Sequence, residues 1–278
     1  MATSTLKKYR IGDFSRYLGV SSDYLKHYEK NGLLEVHPSE SGYRYYSFDQ
    51  SARVIEYLRL RNYGVSIKDM QALWEKTPTE ATATLDARVE EISAEIARLK
   101  SIVDEHRRFQ AWQKERILRP IDWEITTVEP YYFLFHTHTT DFLKEPAIYE
   151  LLNKWLSWLP VTKSALYVKQ GSAPLPTELF WGLAISESMM KEYALPTNDA
   201  VIKLAFEKAF VFHFWGLEGA FGMKAILLGK HPAFDKLREL GFTPSGDSLL
   251  LNEMRLSDEE GQARNCIGRF LIPIRTKD

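Results

Sequence analysis

The chain has 278 residues, 45% of them hydrophobic and 26% charged, and a formal net charge of -1 at pH 7. This balance fits a globular protein of two domains and a connector; it excludes a uniformly basic nucleic-acid binder but leaves room for a basic face in the first seventy residues. The single cysteine, Cys266, excludes an intrachain disulfide, a four-thiolate zinc site and an iron–sulfur cluster built from one chain.

No apolar run reaches the length of a signal-peptide core or a membrane span, so the expected location is the cytoplasm. From Tyr9 the chain reads YRIGDFSRYLGVSSDYLKHYEKNGLL. Ile11, Phe14 and Leu18 fall at helical spacing, and Gly19-Val20 ends that helix. Ser21 or Ser22 caps a second helix, Leu25 and Tyr28 face inward, and Asn31-Gly32 supplies residues that tolerate a left-handed terminus. Two short helices about a tight turn make a helix-turn-helix, whose second helix enters the major groove. The segment SESGYRYYSFDQ then predicts a small hairpin or wing that presents an arginine among phenols, a group suited to phosphate. A second helix pair follows from Asp49, with a break at Tyr63-Gly64 and a restart at Ser66.

Between about Glu80 and Leu118 there is no glycine or proline, and Leu85, Val89, Ile92, Ile96, Leu99 and Val103 alternate steps of four and three. Such a seam asks for a partner helix and predicts a homodimer; the alternative is a helix packed on its own domain. Pro120 closes this helix. Beyond it, strand-like segments (WEITTVEPYYFLFHTHTT, ELFWGLAIS, AVIKLAFEKAFVFHFWG, LLLNEMRL, CIGRFLIPIR) alternate with helices over about 146–159 and 222–240. This order predicts an internally duplicated α+β domain.

Glu253 interrupts the apolar segment LLLNEMRL, and period-two alternation places Leu249, Leu251, Glu253 and Arg255 on one face. A carboxylate there needs a cation, which is either a ligand or Arg255. Tyr149, Tyr167, Trp181, Trp215 and Phe270 are the aromatics expected around a ligand, although core packing accounts for any one of them. His136 and His138 share a strand face but lack an obvious third metal ligand. Glycine-rich phosphate loops and a nucleophile elbow are absent, so neither an enzyme nor a cofactor is expected.

The motifs YRIGDFSRYLGVS, the Leu25, Tyr28, Glu29 pattern, NGLL, SGYRYYS and Arg59 to Gly64, in that order, resemble the DNA-binding domain of the MerR family of transcription activators. The resemblance implies an all-α winged helix-turn-helix domain over 1–78, a dimerisation helix over 79–119 that pairs as an antiparallel coiled coil, and binding to a promoter with an overlong spacer. A ligand would bias the distortion of that DNA so that RNA polymerase engages both promoter elements. Carried over by position, Tyr24, Lys26 and His27 would lie on the recognition helix, and Tyr43, Arg44 and Tyr46 would grip phosphates. Asp23 departs from the basic residue common at its position.

Residues 120–278 resemble, in element order and aromatic content, the GyrI-like α+β effector-binding domains of multidrug-responsive members. There the resemblance implies an acid, Glu253, that neutralises a lipophilic aromatic cation. Some such domains hydrolyse small electrophiles, which leaves Glu253 beside Tyr149 as an alternative water-activating pair.

Overall fold

The computed structural model describes residues 7–38, 42–116, 121–170, 178–257 and 264–276. Ser39, Glu40 and Ser41 of the expected wing, and Pro120, lie outside the described residues. The chain divides into two units, Met1–Ala97 and Arg98–Asp278.

In the first unit, β1 (Lys8–Arg10) leads into α1 (Ile11–Leu18). Gly19, at φ 69°, ends α1 in the left-handed region, where its N–H and that of Val20 meet the last carbonyls. The Ser21 hydroxyl accepts from the Tyr24 N–H at 3.1 Å and starts α2 (Ser22–Lys30). A three-stranded antiparallel sheet, ordered β1-β3-β2, joins β1 to β2 (His37–Pro38) and β3 (Arg44–Ser47). The unit is therefore mainly helical but not all-α. After α3 (Gln50–Asn62) and α4 (Ile67–Leu73) comes α5 (Pro78–Arg116), 39 residues long. Phe14, Leu25, Tyr28, Tyr46, Val54 and Met70 centre the core. Arg88 on α5 donates to the carbonyls of Tyr63 (3.2 Å) and Gly64 (2.6 Å), so the start of the long helix is fastened where α3 ends.

The second unit begins within α5 and continues through β4 (Ile121–Phe135), the β5 (Thr137–His138) and β6 (Asp141–Phe142) hairpin, α6 (Pro146–Leu156), β7 (Lys163–Lys169) and β8 (Glu178–Ser186). It then runs through α7 (Glu187–Tyr193), β9 (Val201–Leu217), α8 (Glu218–Phe221), α9 (Met223–Leu227), α10 (Pro232–Glu239), β10 (Phe242–Pro244), β11 (Ser248–Ser257) and β12 (Arg264–Thr276). Among the six longer strands, leaving out the short β5, β6 and β10, the strand–helix–strand–strand order appears twice. The strands pair antiparallel in the order β12-β11-β7-β8-β4-β9, and β9 pairs back to β12, which closes a six-stranded barrel. One side-chain layer, with Phe133, Tyr167, Leu249, Leu251 and Leu271, fills the barrel, and an opposite layer with Phe210, Phe212, Phe270 and Leu250 packs under the helices.

The helix expected over 222–240 is broken, because Gly229 adopts φ 64° and Pro232 can only open a new helix. His231 caps α10 by accepting from the Ala233 N–H at 3.1 Å, inside a cage of Phe212, Phe214, Phe221, Phe234 and Phe270. Burial among these rings lowers its pKa from 6.5 to about 3.

Candidate functional sites

The α2–β3 face of the first unit carries the residues singled out for DNA. Lys26 and His27 are exposed on α2, and Lys26 pairs with Asp23 at 2.9 Å, so Asp23 tethers a cation as well as presenting a negative charge. Tyr24 stacks on Tyr28 with ring centroids 4.3 Å apart and is half-buried. Tyr43 and Arg44 are exposed on and beside β3, and Arg44 reaches Glu29 at 3.1 Å.

Tyr46 does not fit a phosphate grip. It is fully buried, stacked on Phe14 at 5.2 Å, with its hydroxyl donating to Glu29 at 3.2 Å. The cause is strand parity: Arg44 and Tyr46 share the face of β3 that looks toward α2, and only the longer arginine reaches beyond the core edge. Tyr45 points the other way. Its hydroxyl accepts from Arg10 Nε at 3.2 Å, and the Arg10 guanidinium lies 4.6 Å from the Tyr43 ring centre. Sequence reasoning missed Arg10 and Tyr45, which the β1–β3 pairing places opposite each other.

In the second unit a cleft of about 200 Å³ opens between the barrel and the C-terminal part of α5. Its floor is a chain of charges. Arg269 on β12 reaches Glu253 at 2.6 Å, Glu253 reaches Lys163 on β7 at 2.6 Å, Lys163 reaches Glu105 on α5 at 2.5 Å, and Glu105 reaches Arg108 at 2.8 Å. Phe109, Trp112, Tyr131 and Met189 supply apolar wall, and Glu129 stands at the rim, bound to the Ser188 N–H and hydroxyl. Glu253 is 4% exposed at its side chain. Burial alone would raise its pKa, but Arg269 and Lys163 outweigh that and hold the carboxyl below its ordinary value.

This arrangement corrects the expected cation for Glu253. Between Asn252 and Met254 the β11–β12 register shifts by a bulge, with Glu253 as the extra residue. Leu249, Leu251 and Glu253 do share the inner face, but Arg255 falls out of phase and lies 3.6 Å from Glu218 instead. Beside the bulge, a Cβ on Gly268 would come within 2.5 Å of the Leu251 carbonyl oxygen, so glycine lets the two strands close up there.

The expected aromatic ring around Glu253 is not assembled. Tyr149 packs with α6 and gives its hydroxyl to the Leu143 carbonyl, so it forms no water-activating pair with Glu253. Tyr167 is buried within the barrel, donating to Asp247 at 2.6 Å. Trp181 packs against the helix-side layer, its Nε1–H donating to Ser164 at 2.9 Å, and Phe270 is wholly buried in that layer. Trp215 is exposed beside Trp112 and Ile267 in a separate small recess.

His136 is buried against Phe142 and Trp181, while His138 is exposed near Glu178, so the two do not converge. Among the described residues no group of three or more His, Cys, Asp or Glu side chains could hold a metal ion. The rule that flagged Glu253 would have found Arg269 in CIGRFLIPIR, a charge inside an apolar strand. Glu105 carries no such signal, because charges occur all along α5.

The last turns of α5 are held by a second network. Trp112 Nε1–H donates to His213 Nδ1 at 3.1 Å, His213 Nε2 meets Glu124 at 3.0 Å, and Arg116 reaches Asp122 and Glu124 at 2.5 and 3.1 Å. On the same helix Val89, Ile92, Ile96, Leu99 and Val103 are all exposed. Among the described residues no helix is long and apolar enough to cross a membrane.

Residues 9–76 match the family described as MerR HTH family regulatory protein. Nodulation protein NolA of Bradyrhizobium diazoefficiens is 33% identical over 104 residues, covering 37% of this chain and 44% of that protein. The multidrug-efflux transporter 2 regulator of Bacillus subtilis is 31% identical over 104 residues, covering 37% and 38%. The chain thus spans less than half the length of these curated relatives. Among solved structures, that of the EcmrR–DNA complex aligns over 97% of this chain and 100% of that one, at 13% identity and a TM-score of 0.38.

Proposed function

Residues 9–76 are a MerR-family helix-turn-helix domain, and from that premise we propose that the chain is a ligand-responsive transcription regulator acting as a homodimer on promoter DNA. The observation that carries the reading is the exposed stripe Val89, Ile92, Ile96, Leu99 and Val103, continuous on the helix that leaves this domain. Five large apolar side chains on one helix face cost free energy in water and call for a second helix of the same pattern. The working division is a winged DNA-binding domain over 1–78, an antiparallel coiled-coil helix over 79–119 and a GyrI-like effector domain over 120–278.

On DNA, Lys26 and His27 would meet base edges, and Tyr43, Arg44, Arg10 and Tyr45 would meet phosphates. Two such domains on one dimer would read a pseudo-palindrome and distort an overlong spacer, so that RNA polymerase engages both promoter elements. The cleft lined by α5 is the effector site of this reading, because the helix that would carry the dimer seam also forms its wall.

The test is sedimentation of Ile92→Lys/Ile96→Lys beside the parent chain, with binding to a duplex selected from a random library by the parent chain. The expected result is a dimer that binds the duplex and a folded monomeric variant that does not. A variant that stays dimeric and bound removes the seam and the reading built on it.

A further inference from the structure

Resting on the reading of the cleft as an effector site, we infer that its ligand is an anion, a ring-bearing carboxylate that displaces Glu105 from Lys163 and docks between Lys163 and Arg269. Arg269 spends Nε and Nη2 on Glu253, and Lys163 spends two of its three protons on Glu253 and Glu105. Glu253 in return accepts two donors from Arg269 on Oε1 and one from Lys163 on Oε2 at 2.6–2.8 Å, so its charge is already neutralised by two cations before any cationic guest arrives.

The charge that remains is positive. The cleft is lined by three cations, Arg108, Lys163 and Arg269, and three carboxylates, Glu105, Glu129 and Glu253, but Glu129 stands at the rim, so the floor chain from Arg269 to Arg108 keeps one cation in excess. Among the described residues Arg269 Nη1 has no protein partner, and the Arg269 side chain stays 27% exposed on the cleft. At the floor a lipophilic cation would meet this excess as repulsion, whereas a carboxylate there would take the unspent donors and lay its ring on Phe109 and Trp112.

Glu105 then acts as an internal stand-in for the ligand. It is the one carboxylate on the cleft floor that comes from α5 and not from the barrel, and it also pairs with Arg108 on its own helix, so it has somewhere to go when displaced. Exchange of Glu105 for a ligand carboxylate removes a charge-assisted link between helix and barrel, which gives occupancy of the cleft a direct route to the helix.

The experiment is calorimetric titration of the full chain with three probes of one shape: 2-naphthoate, 2-naphthylmethanol and 2-naphthylmethylamine, the last cationic at pH 7. Naphthoate should bind at least about tenfold more tightly than the other two. Glu105→Gln should tighten naphthoate severalfold, because a neutral amide competes less well for Lys163, and leave the alcohol unchanged. The double substitution Glu253→Met/Arg269→Met removes a buried pair together and should abolish the preference while retaining the alcohol.

Tighter binding of the amine, a preference that survives the double substitution, or weaker naphthoate binding to Glu105→Gln would each overturn the anion assignment and leave the cleft as an effector site. No binding of any probe would also overturn it. The regulator reading is decided separately by the dimer and duplex measurements.

Discussion

Two carboxylates in this chain each hold an arginine, Glu29 with Arg44 and Glu253 with Arg269, and their surroundings make similar contacts do different work. The Arg44 side chain is 49% exposed, and water screens its pairing with Glu29, so the guanidinium can turn to a phosphate at little cost. Glu253 is buried at 4% exposure and grips both Arg269 and Lys163, where losing one partner strands a charge in low dielectric. The surface pair is positioned to be exchanged for a partner. The buried one is a fixed base that ties β7, β11 and β12 together, and only its outermost link, Lys163 to Glu105, leaves the barrel for α5.

The sharpest way to break this contrast is to remove one cation from each pair. Arg269→Ala should cost about 3–5 kcal/mol in urea unfolding, while Glu253→Met/Arg269→Met stays within about 2 kcal/mol of the parent chain. Equal losses in the two variants would mean that packing, and not the stranded charge, holds this strand pair.

Next in size is a titration. His231 has its folded pKa depressed from 6.5 to about 3, so the unfolded chain binds the extra proton across that window. Its contribution to stability is full above pH 6.5 and is lost as pH falls toward 3. Asparagine can keep the cap on Ala233 without titrating, so His231→Asn should flatten the fall in melting temperature between pH 6.5 and 4. An unchanged slope would assign the acid sensitivity to other groups.

The smallest stability effect belongs to Arg44→Ala, expected below about 1 kcal/mol in unfolding, with duplex affinity reduced roughly tenfold at physiological salt and a shallower salt dependence. Full affinity would take Arg44 off the DNA face and leave Arg10 to be tested in its place.

The first unit was legible because its signals are local. Gly19 and Gly32 act through their own backbones, Ser21 through a hydroxyl that caps the helix at the N–H three residues on, and Leu25 and Tyr28 are buried as helical spacing requires. Tyr46 was misplaced because adjacent phenols look alike in sequence, and only the pairing of β3 with β1 separates inward from outward. In the second unit the strands were visible but β7 and the closure of the barrel were not, since closure rests on pairings between β9 and β12 that no local pattern encodes. Glu253 stood out as a charge among leucines. Its two cations come from β7 and β12, so the charge that satisfies it could not be read by alternation along its own strand.

A strand counts in twos, and the bulge makes Glu253 a one-residue insertion between the paired stretches from Leu249 to Asn252 and from Met254 to Ser257. Deleting Asn252 would restore parity, send the carboxylate to the helix-covered side opposite Gly268, and leave Lys163 and Arg269 facing the cleft without it. The location of the charge is thus written in a residue count as much as in a residue type. Single-residue insertions and deletions around position 252 would alter the cleft's chemistry without changing the identity of any lining residue.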